Sequence, residues 1–286
     1  AWARDNGINH FDTAPAYGNT ASETNLGRAL GCDRDGVIVS TKIGLAQDDG
    51  ADTAGAIRNS LEASLGRLKQ DRVDIFQLHN TLGDSAKTGT MTADQVLNEV
   101  VPAFLKLRDE GKTRFLGFTA KGDTDALHRL VESGHFDSAQ VFYNMLVPSA
   151  GEAVSGSYPA QDFRQLLTLA KSNGVGTIGV RVLAGGALSG SEDRHPLGMK
   201  SVDPIGASGD YASDVTQALR FEPLVAAGHA ASLPELAVRY VISNPALPTV
   251  EIGIATLDEL QQATAAVNKG PLTTDALDQI RKIQTG

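Results

Sequence analysis

One cysteine, Cys32, stands among 286 residues, so no internal disulfide can form. That usage fits a reducing compartment, and a cytoplasmic location is expected. No apolar run approaches the ~20 residues a membrane span needs, and nothing reads as a signal peptide. Cationic residues are in the minority, 25 Lys and Arg against 34 Asp and Glu, for a formal net charge of −9. Without a basic stripe, neither nucleic acid nor an anionic membrane is expected as a partner, although a local cationic pocket for a phosphate stays open. No G-x-G-x-x-G follows any strand pattern, so the open doubly wound sheet lacks its usual sign. An initiator Met is also missing. Ala1 to Gly7 reads as the last turn of a helix closed by Gly7, so the sequence is expected to begin inside a larger chain.

What is present is an ordinary globular balance of 41% apolar and 21% charged residues. Short apolar runs alternate with amphipathic stretches from end to end. The predicted strands are 8–12, 37–41, 73–78, 114–118, 138–142, 175–182 and 248–253. They show little polar alternation, the pattern of parallel strands covered on both faces. Helical spacing marks 54–68, 102–108, 123–132, 160–172, 233–242 and 257–267. Repeated strand–helix units imply a parallel sheet. The expected architecture is an α/β (β/α)8 TIM barrel forming a single domain over 1–286, its first strand missing from the sequence. Two segments break the rhythm: a long Gly/Ser/Asp-rich loop at about 183–232, and a shorter excursion at 82–93.

In such a barrel the C-terminal ends of the strands share one mouth. Reading those ends in turn gives Asp12, then Lys42, then His79, with Tyr17 on the loop after the first. Taken singly, each has a plain structural reading: a helix N-cap for Asp12, a solvated strand end for Lys42, a satisfied polar group for His79, a cover residue for Tyr17. Together on three successive strands they have a chemical use. A phenol with a pKa near 10 donates poorly at neutral pH, and a neighbouring ammonium makes it a better acid. Asp12 would hold and aim Lys42, and His79 would hydrogen-bond the substrate oxygen. An acid over a carbonyl, with no activated nucleophile and no metal cluster, points to proton transfer coupled to hydride delivery. The hydride must come from a cofactor.

Along essentially its whole length the sequence resembles the aldo-keto reductases. "GINHFDTAPAYG" resembles the family's first signature, "VIVSTKIG" the lysine segment and "DIFQLHN" the histidine segment. "EGKTRFLGFTA", "SAQVFYNMLV" and "GVRVLAGGALSG" match the next three strand regions in order. The resemblance implies a (β/α)8 barrel binding NAD(P)(H), with Tyr17 as general acid–base, Lys42 and Asp12 tuning it, and His79 orienting the carbonyl. It places Gln140 and Thr119 on the nicotinamide carboxamide. Thr119-Ala120 stands where Ser-Asn is usual, so one amide contact is lost. Arg181 falls in the segment where a tyrosine stacks on nicotinamide; a ligand contact and a salt bridge across the rim are equally open for it. Leu183, Gly185, Gly186 and Leu188 form a Gly-rich loop for the pyrophosphate.

On the adenosine side the matching positions are Gly253, Thr256, Glu259 and Gln262. Members of the family that use NADPH place Lys or Arg here, whereas Glu259 would repel a 2′-phosphate and accept from a ribose hydroxyl. The helix N-terminus near Thr256 is expected to offer N–H donors. Family habit therefore favours NADP(H), and the local charge leaves NAD(H) possible. The expected activity interconverts an aldehyde or ketone and its alcohol, with a sugar or small polar carbonyl preferred because loops 80–88, 143–155 and 183–213 hold few aromatics. The alternative is a cofactor-binding regulatory subunit of the same fold with little turnover. No metal site is expected, and monomer and homo-oligomer are both open.

Overall fold

The computed structural model describes residues 1–31, 34–46, 49, 51–83, 89–199 and 209–285. Cys32 lies outside the described residues, as do 84–88 and 200–208 within two of the expected lining loops. The strands among the described residues are β1 (His10–Asp12), β2 (Ile38–Ile43), β3 (Val73–Leu78), β4 (Thr81–Leu82), β5 (Thr90–Met91), β6 (Thr113–Ala120), β7 (Ser138–Phe142), β8 (Gly176–Val180) and β9 (Thr249–Val250). Contacts divide the chain into two compact units, residues 1–140 with 172–176, and residues 141–171 with 177–286.

In the first unit the strand order is β1-β2-β3-β6-β7, and β1 to β6 pair in parallel. The register sets Asp12 opposite Ser40, Lys42 opposite Gln77, and Gln77 opposite Gly117. Side chains alternate along each strand. Val39, Phe76, Leu78, Leu116, Phe118 and Ala139 are buried on the apolar side. The other side carries His10 and Asp12, Ser40 and Lys42, Gln77, Thr119 and Gln140, all joined by hydrogen bonds. The expectation of little polar alternation is therefore corrected, although these polar side chains of the inner strands are covered. Polar groups line one face because each finds its partner on the next strand, which removes most of the cost of burial. Gly117 makes room for this: a Cβ there would lie 2.5 Å from Ser138 Oγ and 3.0 Å from Gln77 Cγ.

Helix Ala21–Leu30 is anchored to this sheet and to helix Thr53–Leu68 through Glu23, whose side chain is fully buried. Thr41 Oγ1 donates to Glu23 Oε1 at 2.6 Å, and Arg67 Nε to Glu23 Oε2 at 2.6 Å. A buried carboxylate with two such donors is tolerated where a lone one would not be.

The second unit orders its strands β7-β8-β9 and holds most of the departures from expectation. The 183–232 loop contains a 3-10 segment, Ala184–Ser189, and two helices, Tyr211–Leu219 and Glu222–Ala226. Asp210 caps the first of these by accepting from Ser213 N at 2.8 Å. The predicted helix at 160–172 begins only at Leu166. Arg164 and Gln165 adopt φ of 47° and 57°, and Gln165 N donates to Ser149 O at 2.9 Å instead of to a helical carbonyl. A helix the sequence reading omitted, Thr274–Thr285, closes the chain. Its Arg281 Nε donates to Glu152 Oε2 at 3.1 Å, and Tyr240 Oη donates to Glu152 Oε1 at 3.1 Å. No helix among the described residues is long and apolar enough to cross a membrane.

Candidate active site

All four residues of the predicted tetrad lie in the first unit, and the strand register brings them together. Lys42 is 1% exposed, and its Nζ donates to Asp12 Oδ2 and, at 3.0 Å, to Thr13 O. The same ammonium lies 4.8 Å from the centroid of the Tyr17 ring. Tyr17 and His79 meet edge to face, with ring centroids 6.3 Å apart at 84°. Burial grades outward, from the enclosed ammonium to Tyr17 at 40% exposure. A phenol thus sits over a cation at the surface end of a buried ion pair, where a ligand can reach it.

Asp12 is the hub. Besides Lys42 it accepts from Ser40 Oγ at 2.6 Å, Gln77 Nε2 at 3.3 Å and Gln140 Nε2 at 3.2 Å. Three donors converge on Oδ1 and the ammonium on Oδ2, which together fix the carboxylate's orientation. Behind Ser40, His10 Nε2 lies 3.0 Å from its Oγ. Burial, the largest influence, pushes the His10 imidazole below its usual range, although Asp12 opposes it. Sequence reading singled out none of Ser40, Gln77 or His10. Stepping back two residues at a time from Lys42, His79 and Asp12 along their strands would have found all three.

On the far side of Asp12, Thr119 Oγ1 donates to Gln140 Oε1 at 3.0 Å and lies 2.9 Å from His79 Nδ1. Thr119 and Gln140, expected at the nicotinamide carboxamide, link His79 to Asp12.

The second unit holds the remaining predicted residues. Arg181, just after β8, adopts φ 59°, and its guanidinium carbon lies 5.9 Å from the Phe142 ring centroid. Asn144 Nδ2 donates to its carbonyl at 3.0 Å. Leu183 O accepts from Gly186 N at 2.8 Å and Leu188 N at 3.1 Å, winding the Gly-rich segment tightly. Gly185 and Gly186 need φ of 69° and 112°. Arg194, missed in the sequence reading, donates from Nη1 to Gly185 O at 2.8 Å and lies over the Tyr211 ring at 5.1 Å. A Cβ on Gly186 would come within 2.9 Å of Tyr211 Oη, so the backbone bends where no side chain fits.

At the adenosine side, part of the expected set of N–H donors is engaged by the chain itself. Glu259 Oε2 accepts from Ala255 N at 2.6 Å and Thr256 N at 3.3 Å, while Thr256 Oγ1 accepts from Glu259 N at 3.2 Å. This capping box sets the chain's own carboxylate against the N-cap and the residue before it. Gly253 and Gln262 are exposed beside it.

The model of the Aldo/keto reductase family matches residues 1–285. The chain belongs to that family. It is 30% identical to L-galactose dehydrogenase of Arabidopsis thaliana over 276 residues, 92% of this chain and 75% of the relative. An aldo-keto reductase from Bacillus halodurans, solved in its holo form, superposes with a TM-score of 0.71 at 23% identity, covering 98% of this chain and 84% of the other. An aldo-keto reductase from Klebsiella pneumoniae in complex with NADPH gives 0.66 at 23%, covering 99% and 82%. These structures establish the fold class of this reductase as α/β of the TIM-barrel type, as expected from its strand–helix rhythm. The protein is an NAD(P)-dependent oxidoreductase, and its class of ligand is a small-molecule carbonyl with a nicotinamide cofactor.

Proposed function

We propose that this reductase interconverts a polar carbonyl, such as an aldose or small aldehyde, and its alcohol form, with Tyr17 as general acid and base. The observation that carries this reading is the enclosed ammonium of Lys42, held by Asp12 and set 4.8 Å from the Tyr17 ring. An ammonium beside a phenol favours the phenolate, which eases proton donation to a carbonyl oxygen and stabilises the base for the reverse step. His79 would hydrogen-bond the substrate oxygen. The nicotinamide, when bound, supplies or accepts the hydride at carbon. Thr119 and Gln140 would hold its carboxamide, and the Gly185–Gly186 backbone its pyrophosphate. Similarity to L-galactose dehydrogenase supports a sugar substrate. Glu259 supports NAD(H) over NADP(H), because its carboxylate occupies the helix end where a 2′-phosphate would dock.

A nucleotide-binding titration followed by a panel of aldoses, small aldehydes and ketones tests the reading. Tyr17→Phe should bind nucleotide with wild-type affinity and lose turnover by at least a thousandfold. A near-normal kcat in that variant would refute the assignment.

A further inference from the structure

The pairing of β2 with β3 continues past both strands, and its last rung is a side chain. The register ends with Ile43 opposite Leu78, and His79 N then donates to Ile43 O at 2.7 Å. A parallel ladder would next bring the N–H of residue 45 to the carbonyl of residue 79. Here Leu45 N donates to Asn80 Oδ1 at 2.8 Å, and Asn80 Nδ2 donates back to Leu45 O at 2.8 Å. The carboxamide thus meets both backbone groups of one residue, as a neighbouring strand would. Nδ2 also donates to Gly89 O at 3.3 Å, just before β5. Asn80 is 5% exposed, and Leu45 is buried with it. Both amide protons and the oxygen of this side chain are engaged by main chain rather than offered to a ligand.

We propose that Asn80 is a positioning residue: its amide closes the β2–β3 exit and so holds the adjoining His79, which on the proposed reading orients the substrate oxygen. The His79 ring meets Tyr17 edge to face with centroids 6.3 Å apart, and that approach depends on where the chain leaves β3. A carboxamide suits the place because it carries a donor and an acceptor side by side. A carboxylate would set an oxygen against Leu45 O, and an isosteric Leu would leave Leu45 N, Leu45 O and Gly89 O without this partner. A misplacement of about 1 Å can cost about a hundredfold in rate, so a loosened exit is read as lost turnover.

Amide exchange tests the rung directly. Leu45 N–H should be protected in the wild type and exchange about a hundredfold faster in Asn80→Leu. An unprotected Leu45 in the wild type, or an unchanged rate in the variant, overturns the proposal. Turnover tests the role. With glyceraldehyde as the carbonyl, Asn80→Leu should lower kcat at least about tenfold while the nucleotide Kd keeps its wild-type value. In a His79→Gln background the same substitution should lower kcat less than about twofold, because the group it positions is already gone. An equal loss in both backgrounds would mark a general structural role and overturn the proposal. Asn80→Asp keeps an acceptor for Leu45 N and loses both donors, and it gives the same comparison if Asn80→Leu does not fold. Absence of wild-type turnover across the substrate panel with either nucleotide would instead refute the enzymatic reading, while exchange at Leu45 still decides whether the amide closes the ladder.

Discussion

Replacing Glu259 by Arg reverses the charge at a helix end where a carboxylate accepts from the N-cap N–H and the one before it. With that carboxylate present, a 2′-phosphate meets like charge. Glu259→Arg is expected to move the ratio of Kd values for NAD(H) and NADP(H) at least tenfold towards NADP(H). Glu259→Gln, which can keep the cap and loses the charge, should move it less. Equal ratios in all three proteins would show that the phosphate docks elsewhere. At this scale the chemistry was legible, because Asp12, Lys42 and His79 each follow an apolar strand and report their position by that fact. The second use of Glu259 was not, since a capping box and a ribose contact require the same residue type at the same place.

Between elements, helix Ala21–Leu30 packs closely on helix Thr53–Leu68 at Gly27. A Cβ on Gly27 would fall 2.7 Å from the Leu68 carbonyl carbon and 2.8 Å from its Cα, both backbone atoms that cannot step aside. Gly27→Ala should gain about 1 kcal/mol of helix propensity. Overpacking against backbone costs about 1–3 kcal/mol, so the net effect is destabilising. A fall in Tm of a few degrees is expected, with a loss of kcat, because the same helix holds Thr41 next to Lys42 through Glu23. A Tm at or above wild type would show that the two helices can separate freely. The helix at 160–172 teaches the converse. Its apolar spacing is real, but Phe163 and Gln165 are drawn into bonds with Ser149, and periodicity carries no record of that competitor.

For the molecule as a whole, pH brings out the buried phenols. Burial, the largest cause, pushes Tyr143 up to about 12, and it does the same for Tyr158. Tyr143 stacks on Tyr240 at 5.2 Å, and burial raises the Tyr240 phenol too. Between pH 10 and 12 the unfolded chain has released protons that the folded chain retains, so stability falls as pH rises through that window. Below pH 10 the contribution is fully present. Two pKa units correspond to roughly 3 kcal/mol for Tyr143 alone. Urea midpoints should decline from about pH 10 upward, more shallowly in Tyr143→Phe. An identical alkaline slope in that variant would show that its phenol already titrates with the unfolded value.

By itself the sequence determined which groups stand at the strand ends, the α/β fold class, and the absence of a cation around Glu259. Each of these is local, written in residue type and short-range spacing. Tertiary structure alone decided how those groups divide their protons and partners. Gln140 lies 128 positions from Asp12 and Thr119 lies 40 from His79. Hydrogen-bond roles are allotted only among groups that converge in space, and each donor is committed by what its neighbour can accept. Spacing along the chain can supply the groups, and only their convergence makes them partners.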